Sequence, residues 1–318
     1  MYKEMKGMWV DVAVENEIRL ADAIIMDIDG VLLDVSESYR RVAIESVKRY
    51  FREVLSEKMP SALKVEDTQL VKNAGMFNND WDLTYALALF QLMKSYGFKG
   101  CLEEFAMEIK ALGGGIGNAE RVARKSVEWD KICERWDKGK LWEIFQEYYL
   151  GEGLFTKIYR RKPRFVRGEG FIKKESVIVD RKTVEWMRKS GIIFGIVTGR
   201  PLKEARIALE RCGLGFLRGK RVISEDDFAK GRLKRKPFPD ALFEMRKRLK
   251  GKKAIYVGDT RDDMETVEKA RERSGNFFSI AVLSGAMGRN MLDEFKEMGA
   301  NAIMLDVNSL PKVMEEGK

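Results

Sequence analysis

The 318-residue sequence contains no histidine. This absence excludes histidine as a general base, the Ser-His catalytic pair and any histidine-ligated zinc site. Acid–base chemistry in this chain must therefore come from Asp, Glu, Lys, Tyr or Cys side chains.

Cysteine is scarce too, and its three residues are widely spaced: Cys101, Cys133 and Cys212. An odd number at such spacing fits reduced thiols better than a disulfide framework or a cysteine-ligated metal site. No apolar run approaches the length of a membrane span, and charged residues interrupt the N-terminal stretch where a signal peptide needs an apolar core. We therefore expect a cytoplasmic protein that does not enter a membrane.

The chain carries 59 Lys and Arg against 50 Asp and Glu, a net charge of +9. Such a balance suits a nucleic-acid partner or an enzyme whose substrates are anionic phosphates. The stretch 155–174 is rich in Lys and Arg with interleaved aromatic residues, a pattern that nucleic-acid binding by stacking would also produce. A solvated connector is the favoured interpretation, so a nucleic-acid partner is not expected.

A short apolar run at 23–26 is followed by Asp27, Asp29 and Gly30. Runs of this length that are rich in Ile predict a strand buried on both faces of a sheet. Side chains alternate along extended backbone, so Asp27 and Asp29 are expected on the same side, and Gly30 permits a tight turn. The run predicts two carboxylates at the carboxyl end of a strand, where open α/β sheets bind their ligands.

The C-terminal half alternates apolar strand segments with helical ones. This alternation predicts a parallel sheet covered by helices on both faces. Thr198 and Asp259 each follow a predicted strand directly, as Asp27 does, so the three side chains are expected at one edge of the sheet. The predicted strands lie at 192–197, 221–224, 254–257, 278–283 and 302–305, and the helices between them lie at 181–189, 202–212, 240–249 and 264–273.

Between the apolar run at 23–26 and the C-terminal half, the pattern is helical. The alternation at 9–14 predicts a short edge strand ahead of the apolar run. The polar cluster 78–82, which includes Asn78 and Asn79, precedes an apolar-striped segment. It is either a helix N-cap or a contact to substrate. A glycine-rich loop at 113–118 follows a helix instead of a strand, so it is a poor phosphate-binding fingerprint. The predicted helices here are 81–96, 102–112, 120–132 and 141–150.

Four segments together resemble, in order, the motifs of the haloacid dehalogenase superfamily. The resemblance implies an α/β fold with a Rossmann-like parallel sheet, formed by residues 1–35 and 175–318. Residues 36–174 correspond to an all-helical cap inserted between the first and second motifs, as in the phosphoglycolate-phosphatase-like branch. The segments are Asp27-Ile28-Asp29-Gly30-Val31, Ile196-Val197-Thr198-Gly199-Arg200, Lys236-Pro237 and Val257-Gly258-Asp259-Thr260-Arg261-Asp262-Asp263.

The resemblance assigns Asp27 as the nucleophile that accepts a phosphoryl group, which agrees with the chemistry of a carboxylate nucleophile. An anion attacking a phosphate needs charge neutralisation, and a hard cation with oxygen ligands, Mg²⁺, supplies it. Asp27 and Asp259 are the implied carboxylate ligands, with the backbone carbonyl of Asp29. Asp263 is expected to hold metal-bound water, with Asp262 as its competitor.

The resemblance also implies the groups that contact the phosphoryl oxygens. Thr198 with the amides of Gly199 and Arg200 is expected to donate hydrogen bonds, and Lys236 is expected to add positive charge. Lys234 is the nearest rival for that role. Asn79, in the helical insert, is the candidate contact to the leaving group.

Asp29 discriminates among branches of the superfamily. The resemblance gives an acid at this position to phosphatases, where it protonates the leaving oxygen and then deprotonates water. The expected function is hydrolysis of a small phosphate monoester, with a sugar-phosphate phosphomutase as the alternative. A dehalogenase fits poorly, because that branch lacks this acid. The alternative outside enzymes is an anion-binding or nucleic-acid-binding module on an inactive core. The oligomeric state is left open.

Overall fold

The computed structural model describes residues 1–5, 7–77, 79–286 and 288–315. The chain divides into two units, which we call the α/β unit (Met1–Val35 with Ser176–Lys318) and the helical unit (Ser36–Glu175). The strands are β1 (Tyr2–Met5), β2 (Met8–Asp11), β3 (Ala23–Met26), β4 (Leu33–Asp34), β5 (Ser176–Val177), β6 (Ile193–Val197), β7 (Val222–Ile223), β8 (Ala254–Gly258), β9 (Phe277–Val282) and β10 (Ala302–Met304).

Helices flank the sheet in the α/β unit and form the whole framework of the helical unit. In the helical unit they are α2 (Tyr39–Arg49), α3 (Asp67–Lys72), α4 (Asp80–Ser95), α5 (Leu102–Ala111), α6 (Ile116–Ser126), α7 (Trp129–Cys133) and α8 (Lys138–Tyr159). In the α/β unit they are α1 (Glu15–Arg19), α9 (Arg181–Lys189), α10 (Leu202–Arg211), α11 (Glu225–Phe228), α12 (Asp240–Leu249), α13 (Arg261–Arg273), α14 (Leu292–Glu297) and α15 (Leu310–Glu315).

Eight strands form one sheet in the order β1-β2-β10-β9-β8-β3-β6-β7. The six strands from β10 to β7 run parallel, which confirms the predicted α/β class. The short strand predicted at 9–14 was wrongly placed at the edge of the sheet. Strand β2 is not the edge, because antiparallel β1 pairs with its outer side and β10 with its inner side.

Strand β3 places the first aspartate between two neighbours. Met26, its last residue, lies opposite Ile196 of β6 and opposite Val257 of β8. Ile24 and Met26 pack into one hydrophobic core and Ile25 into another, on the two sides of the sheet. The strand is therefore buried on both faces, as its unbroken apolar run predicts.

The helical unit contains no strand among its described residues, which agrees with the sequence pattern. The single helix predicted at 120–132 was wrong, because two helices occupy this stretch. Val127 at the end of α6 is extended (φ −148°, ψ 166°), and extended backbone cannot continue a helix. Helix α8 continues beyond the predicted 141–150, with a break at Gly151 (φ 70°, ψ 172°).

Among the described residues, the longest apolar helical stretches fall short of what crossing a bilayer requires.

Candidate active site

A tight loop follows β3 and fixes the direction of the two aspartates. The carbonyl of Ile28 accepts hydrogen bonds from the amides of Leu32 (2.8 Å) and Leu33 (3.0 Å), and the amide of Gly30 donates to the carbonyl of Leu33 (2.8 Å). Gly30 has φ +71°, a left-handed conformation that costs glycine little because it lacks a Cβ. The chain therefore turns back at once and leaves Asp27 at the edge of the sheet.

Asp27 is nearly buried, with 9% of its surface exposed. Its Oδ2 accepts a hydrogen bond from Nζ of Lys236 (2.5 Å), and its Oδ1 accepts one from the amide of Ile28 (2.7 Å). Burial raises the pKa of Asp27 to about 6, although the Lys236 ammonium acts in the opposite direction. The carboxylate is held in one orientation by two donors, one of them charged.

Lys236 bridges two carboxylates. Its Nζ also contacts Oδ1 of Asp263 at 2.7 Å. Burial by itself lowers the pKa of Lys236, but Asp263 and Asp27 outweigh it and raise the pKa well above its usual value. Lys234, the rival for this position, is exposed and lies over the ring of Phe238, with Nζ 4.8 Å from the ring centroid. The structure therefore brings Lys236, and not Lys234, to the aspartate cluster.

Asp263 is fully buried and accepts hydrogen bonds at both oxygens. Its Oδ1 accepts from Lys236 and from the hydroxyl of Tyr256 (3.0 Å). Its Oδ2 accepts from the amides of Asp259 (3.1 Å) and Thr260 (3.0 Å) and from the Thr260 hydroxyl (2.7 Å), forming a capping box at the start of α13. Burial tends to raise the pKa of Asp263, but Lys236 and these donors lower it overall. The side chain holds Lys236 and the loop after β8 in place.

Asp27, Asp259 and Asp263 form a carboxylate cluster in which one oxygen from each lies within 4.8 Å of the others. Burial and the neighbouring Asp263 raise the pKa of Asp259 well above its usual value. Three acidic groups this close repel one another unless a proton or a cation offsets their charge. The donor set consists of oxygen atoms only, which is what Mg²⁺ prefers. The residues present therefore fit a magnesium ion.

Two glycines enclose the Asp259 carboxylate. A Cβ atom built on Gly30 or on Gly285 would lie 2.1 Å from Oδ2 of Asp259. Backbone therefore approaches this carboxylate from two sides, and only glycine leaves room for it.

Replacement of Gly30 by alanine tests this close packing. If the chain turns over a phosphate ester, as the resemblance of its four motifs implies, we expect Gly30→Ala to lower kcat/KM about 100-fold, because it displaces Asp259 and strains the loop. Gly275→Ala is the matched control, since Gly275 is exposed and a Cβ there meets no atom within 4 Å. Steady-state kinetics of the two purified variants give the comparison. Equal activity in both would mean that the Asp259 position does not matter.

The second strand end contributes Thr198, Gly199 and Arg200. Thr198 is fully buried, and its Oγ1 accepts a hydrogen bond from the amide of Arg200 at 3.3 Å. The Arg200 guanidinium donates to Oδ1 of Asp29, from Nε at 2.8 Å and from Nη2 at 2.5 Å. Gly199 is exposed. Thr198 directly follows β6, which runs parallel to and pairs with β3, so it lies at the same edge of the sheet as Asp27, where the sequence pattern predicts it.

Asn79 lies in the helical unit, where it caps α4. Its Oδ1 accepts a hydrogen bond from the amide of Trp81 at 2.9 Å. This is the N-cap interpretation of the polar cluster, and the substrate contact stays a prediction. Asn78, in the same cluster, lies outside the described residues.

Sequence reasoning missed Tyr256, Ser284 and Gly285. Tyr256 is hidden in an apolar strand, and no sequence signal marks its bond to Asp263. The hydroxyl of Ser284 donates to the carbonyl of Gly30 at 2.6 Å, so the loop after β9 reaches the loop after β3. A Ser-Gly pair after a strand indicates a turn, but it does not show which loop that turn meets.

Comparison with known proteins finds similarity to a curated sequence and to solved structures. A curated relative, imidazoleglycerol-phosphate dehydratase of Phytophthora nicotianae, is 26% identical over 250 residues. The alignment covers 78% of this chain and 41% of that protein, so the chain spans about two fifths of its relative's length. The phosphatase Tt82 from Thermococcus thioreducens is a solved structure with 25% identity and a TM-score of 0.58, covering 93% of this chain and 100% of that one.

A structural-genomics target solved by X-ray crystallography has a TM-score of 0.60 at 17% identity, covering 92% of this chain and 98% of that one, and shows the shared fold. The family model described as haloacid dehalogenase-like hydrolase matches residues 21–271, most of the chain. The resemblance carried by the four sequence motifs is thereby confirmed, and the chain belongs to the haloacid dehalogenase-like hydrolases.

Proposed function

We propose that this hydrolase is a Mg²⁺-dependent phosphatase that cleaves a small phosphate monoester through an aspartyl-phosphate on Asp27. The observation that carries the proposal is the position of Asp27, held by Lys236 beside Asp259 and Asp263. The similarity of the chain to a solved phosphatase, at 25% identity, supports the same reaction class.

Asp27 and Asp259 would hold the magnesium ion, with the backbone carbonyl of Asp29. When bound, the ion supplies positive charge that offsets the negative charge of the phosphoryl group and of the attacking carboxylate. Asp263 is already satisfied by five hydrogen bonds, so its part is to fix Lys236 and the loop of Asp259.

The first step forms the covalent intermediate. An oxygen of Asp27 attacks phosphorus, and the bond to the leaving oxygen breaks with its electron pair on that oxygen. The Asp29 carboxyl gives its proton to the leaving oxygen, so the alcohol departs neutral. Lys236 and the Thr198 hydroxyl stabilise the charge on the phosphoryl oxygens.

The second step returns the nucleophile. Asp29, now ionised, takes a proton from a water molecule as the water oxygen attacks phosphorus. The bond between phosphorus and Asp27 breaks, which releases inorganic phosphate and restores the Asp27 carboxylate. Asp29 regains its proton, and the cycle balances.

A panel of phosphate esters assayed with and without Mg²⁺ tests the function. We expect release of inorganic phosphate from at least one small monoester, only with the metal present. A phosphomutase would instead return an isomeric sugar phosphate with little free phosphate. Steep salt-dependent nucleic-acid binding with no turnover on any ester would favour the binding-module alternative.

We also propose that the helical unit recognises the leaving group and that Asn79 contributes to this recognition. Asn79→Ala removes the N-cap, which costs about 1 kcal/mol of stability. Asn79→Ser keeps a cap but shortens the polar side chain. If Asn79 contacts substrate, both variants lower kcat/KM for the best panel ester more than for a small aryl phosphate.

The two Asn79 variants separate recognition from capping. Asn79 acts only as a helix cap if its substitution to Ala lowers kcat/KM equally on both esters and in step with the melting temperature, and if Asn79→Ser shows no loss.

We propose a small phosphorylated molecule as substrate and the cytoplasm as the place of action. The cysteines fit a reducing compartment, since Cys101, Cys133 and Cys212 form no disulfide in the described chain.

A further inference from the structure

Arg200 and Asp29 form an ion pair at the ends of two adjacent strands. The Arg200 side chain is 1% exposed, whereas that of Asp29 is 31% exposed. Hydrogen bonds from Nε at 2.8 Å and from Nη2 at 2.5 Å reach the same oxygen, Oδ1. A buried planar guanidinium that holds one carboxylate oxygen with two donors fixes the rotation of that carboxyl group.

The family resemblance implies a contact from the Arg200 backbone amide to the phosphoryl oxygens and assigns no partner to the guanidinium. In the structure the guanidinium donors Nε and Nη2 are both directed at Asp29. The backbone supports the same placement, since the Arg200 carbonyl accepts a hydrogen bond from the amide of Glu225 (3.0 Å), and its amide donates to Thr198. The residue is thus held at both its main chain and its side chain.

We infer that Arg200 is a positioning residue that orients the Asp29 carboxyl for proton transfer. The inference rests on the proposed phosphatase function, in which Asp29 exchanges protons with the leaving oxygen and with water. It assigns Arg200 an action through Asp29, so its contribution requires the Asp29 carboxyl to be present.

The two chemical steps depend on Asp29 to different extents when the ester has a good leaving group. 2,4-Dinitrophenolate is a stable anion, so it departs from the phosphoryl group without a proton. The water that attacks the aspartyl-phosphate still loses a proton to Asp29. Misplacing Asp29 therefore slows the second step more than the first with this ester, and the phosphorylated protein accumulates.

The experiment follows 2,4-dinitrophenyl phosphate by rapid quench with Mg²⁺ present, measuring dinitrophenol and phosphorylated protein in the same samples. The proteins are wild type, Arg200→Gln, Asp29→Asn and the double variant, with exposed Arg218→Gln as the matched control. We expect Arg200→Gln to lower the steady-state rate by about tenfold or more, with a burst of dinitrophenol and a rise in phosphorylated protein. In the Asp29→Asn background the same substitution should change the rate less than about twofold, since coupled residues are not additive.

Arg200→Lys serves if Arg200→Gln does not fold, because it keeps the positive charge and loses the planar pair of donors. It should show the same burst to a smaller extent. The inference fails if an Arg200 substitution slows both steps alike, with no burst of dinitrophenol, and lowers the rate by the same factor in the wild-type and Asp29→Asn proteins. Arg200 would then not act through Asp29. If wild type and Asp29→Asn turn the ester over with no phosphorylated protein at any time, the proposed function fails and takes this inference with it.

Discussion

Asp27→Asn should lower kcat for an aryl phosphate on the order of 10⁴-fold, the scale seen when a catalytic nucleophile or its partner is removed. The substitution keeps the shape of the side chain and removes the attacking anion. It also removes half of the ion pair with Lys236 and one carboxylate of the proposed metal site. Stopped assays with purified protein in saturating Mg²⁺ give the rate.

The fold should survive this change. The amide oxygen of the substituted side chain can still accept a hydrogen bond from Lys236, and Lys236 keeps its partner Asp263. Asp293→Asn is the matched control, since the Asp293 side chain is 91% exposed and forms a long ion pair, 3.8 Å, with Lys296. Near-wild-type activity in Asp27→Asn, with the control equally active, would exclude Asp27 as the nucleophile.

Removal of metal should lower turnover on the order of 10³-fold, because a bound cation supplies several kcal/mol of charge stabilisation in such reactions. EDTA is expected to abolish phosphate release, and added Mg²⁺ should restore it. Full activity in metal-free buffer would contradict the proposed mechanism.

Thermal unfolding supplies a second measurement that does not depend on activity. Mg²⁺ at about 100 times its Kd should stabilise the wild-type protein by about 2.7 kcal/mol. Asp259→Asn should lose this gain. In EDTA the Asp259→Asn protein should unfold at a higher temperature than wild type, because the substitution removes one of three carboxylates that repel one another. Burial and the proximity of the other carboxylates also raise the pKa of Asp259. Asp293→Asn should keep the wild-type response to Mg²⁺.

The sheet was predictable because its signals are local. The apolar run of β3 predicts a strand buried on both faces, and the alternation of strands and helices after 180 predicts a parallel sheet. Parallel register then carries Asp27, Thr198 and Asp259 to one edge without further information. Helix ends were less predictable, as the break at Val127 shows, because backbone torsion at a single residue decides them.

The contacts inside the site were not predictable from the sequence. Tyr256 looks like a core residue, yet its hydroxyl donates to Asp263. The resemblance implies a role only for the Arg200 amide, and no sequence signal pairs its guanidinium with Asp29. Lys236 was predicted with Lys234 as its rival, and their surroundings separate the two: Lys234 lies over Phe238, and Lys236 contacts Asp27 and Asp263. Pairings between strand ends depend on tertiary packing, which spacing along the chain does not encode.

The covalent intermediate tests the central claim most directly. Wild-type protein is mixed with ³²P-labelled aryl phosphate and Mg²⁺, quenched in acid during turnover, digested and mapped. The account predicts label in the peptide that contains Asp27, released by hydroxylamine as expected for an acyl phosphate, and absent from Asp27→Asn. Label on another residue, or steady phosphate release with no label on the protein, would contradict it.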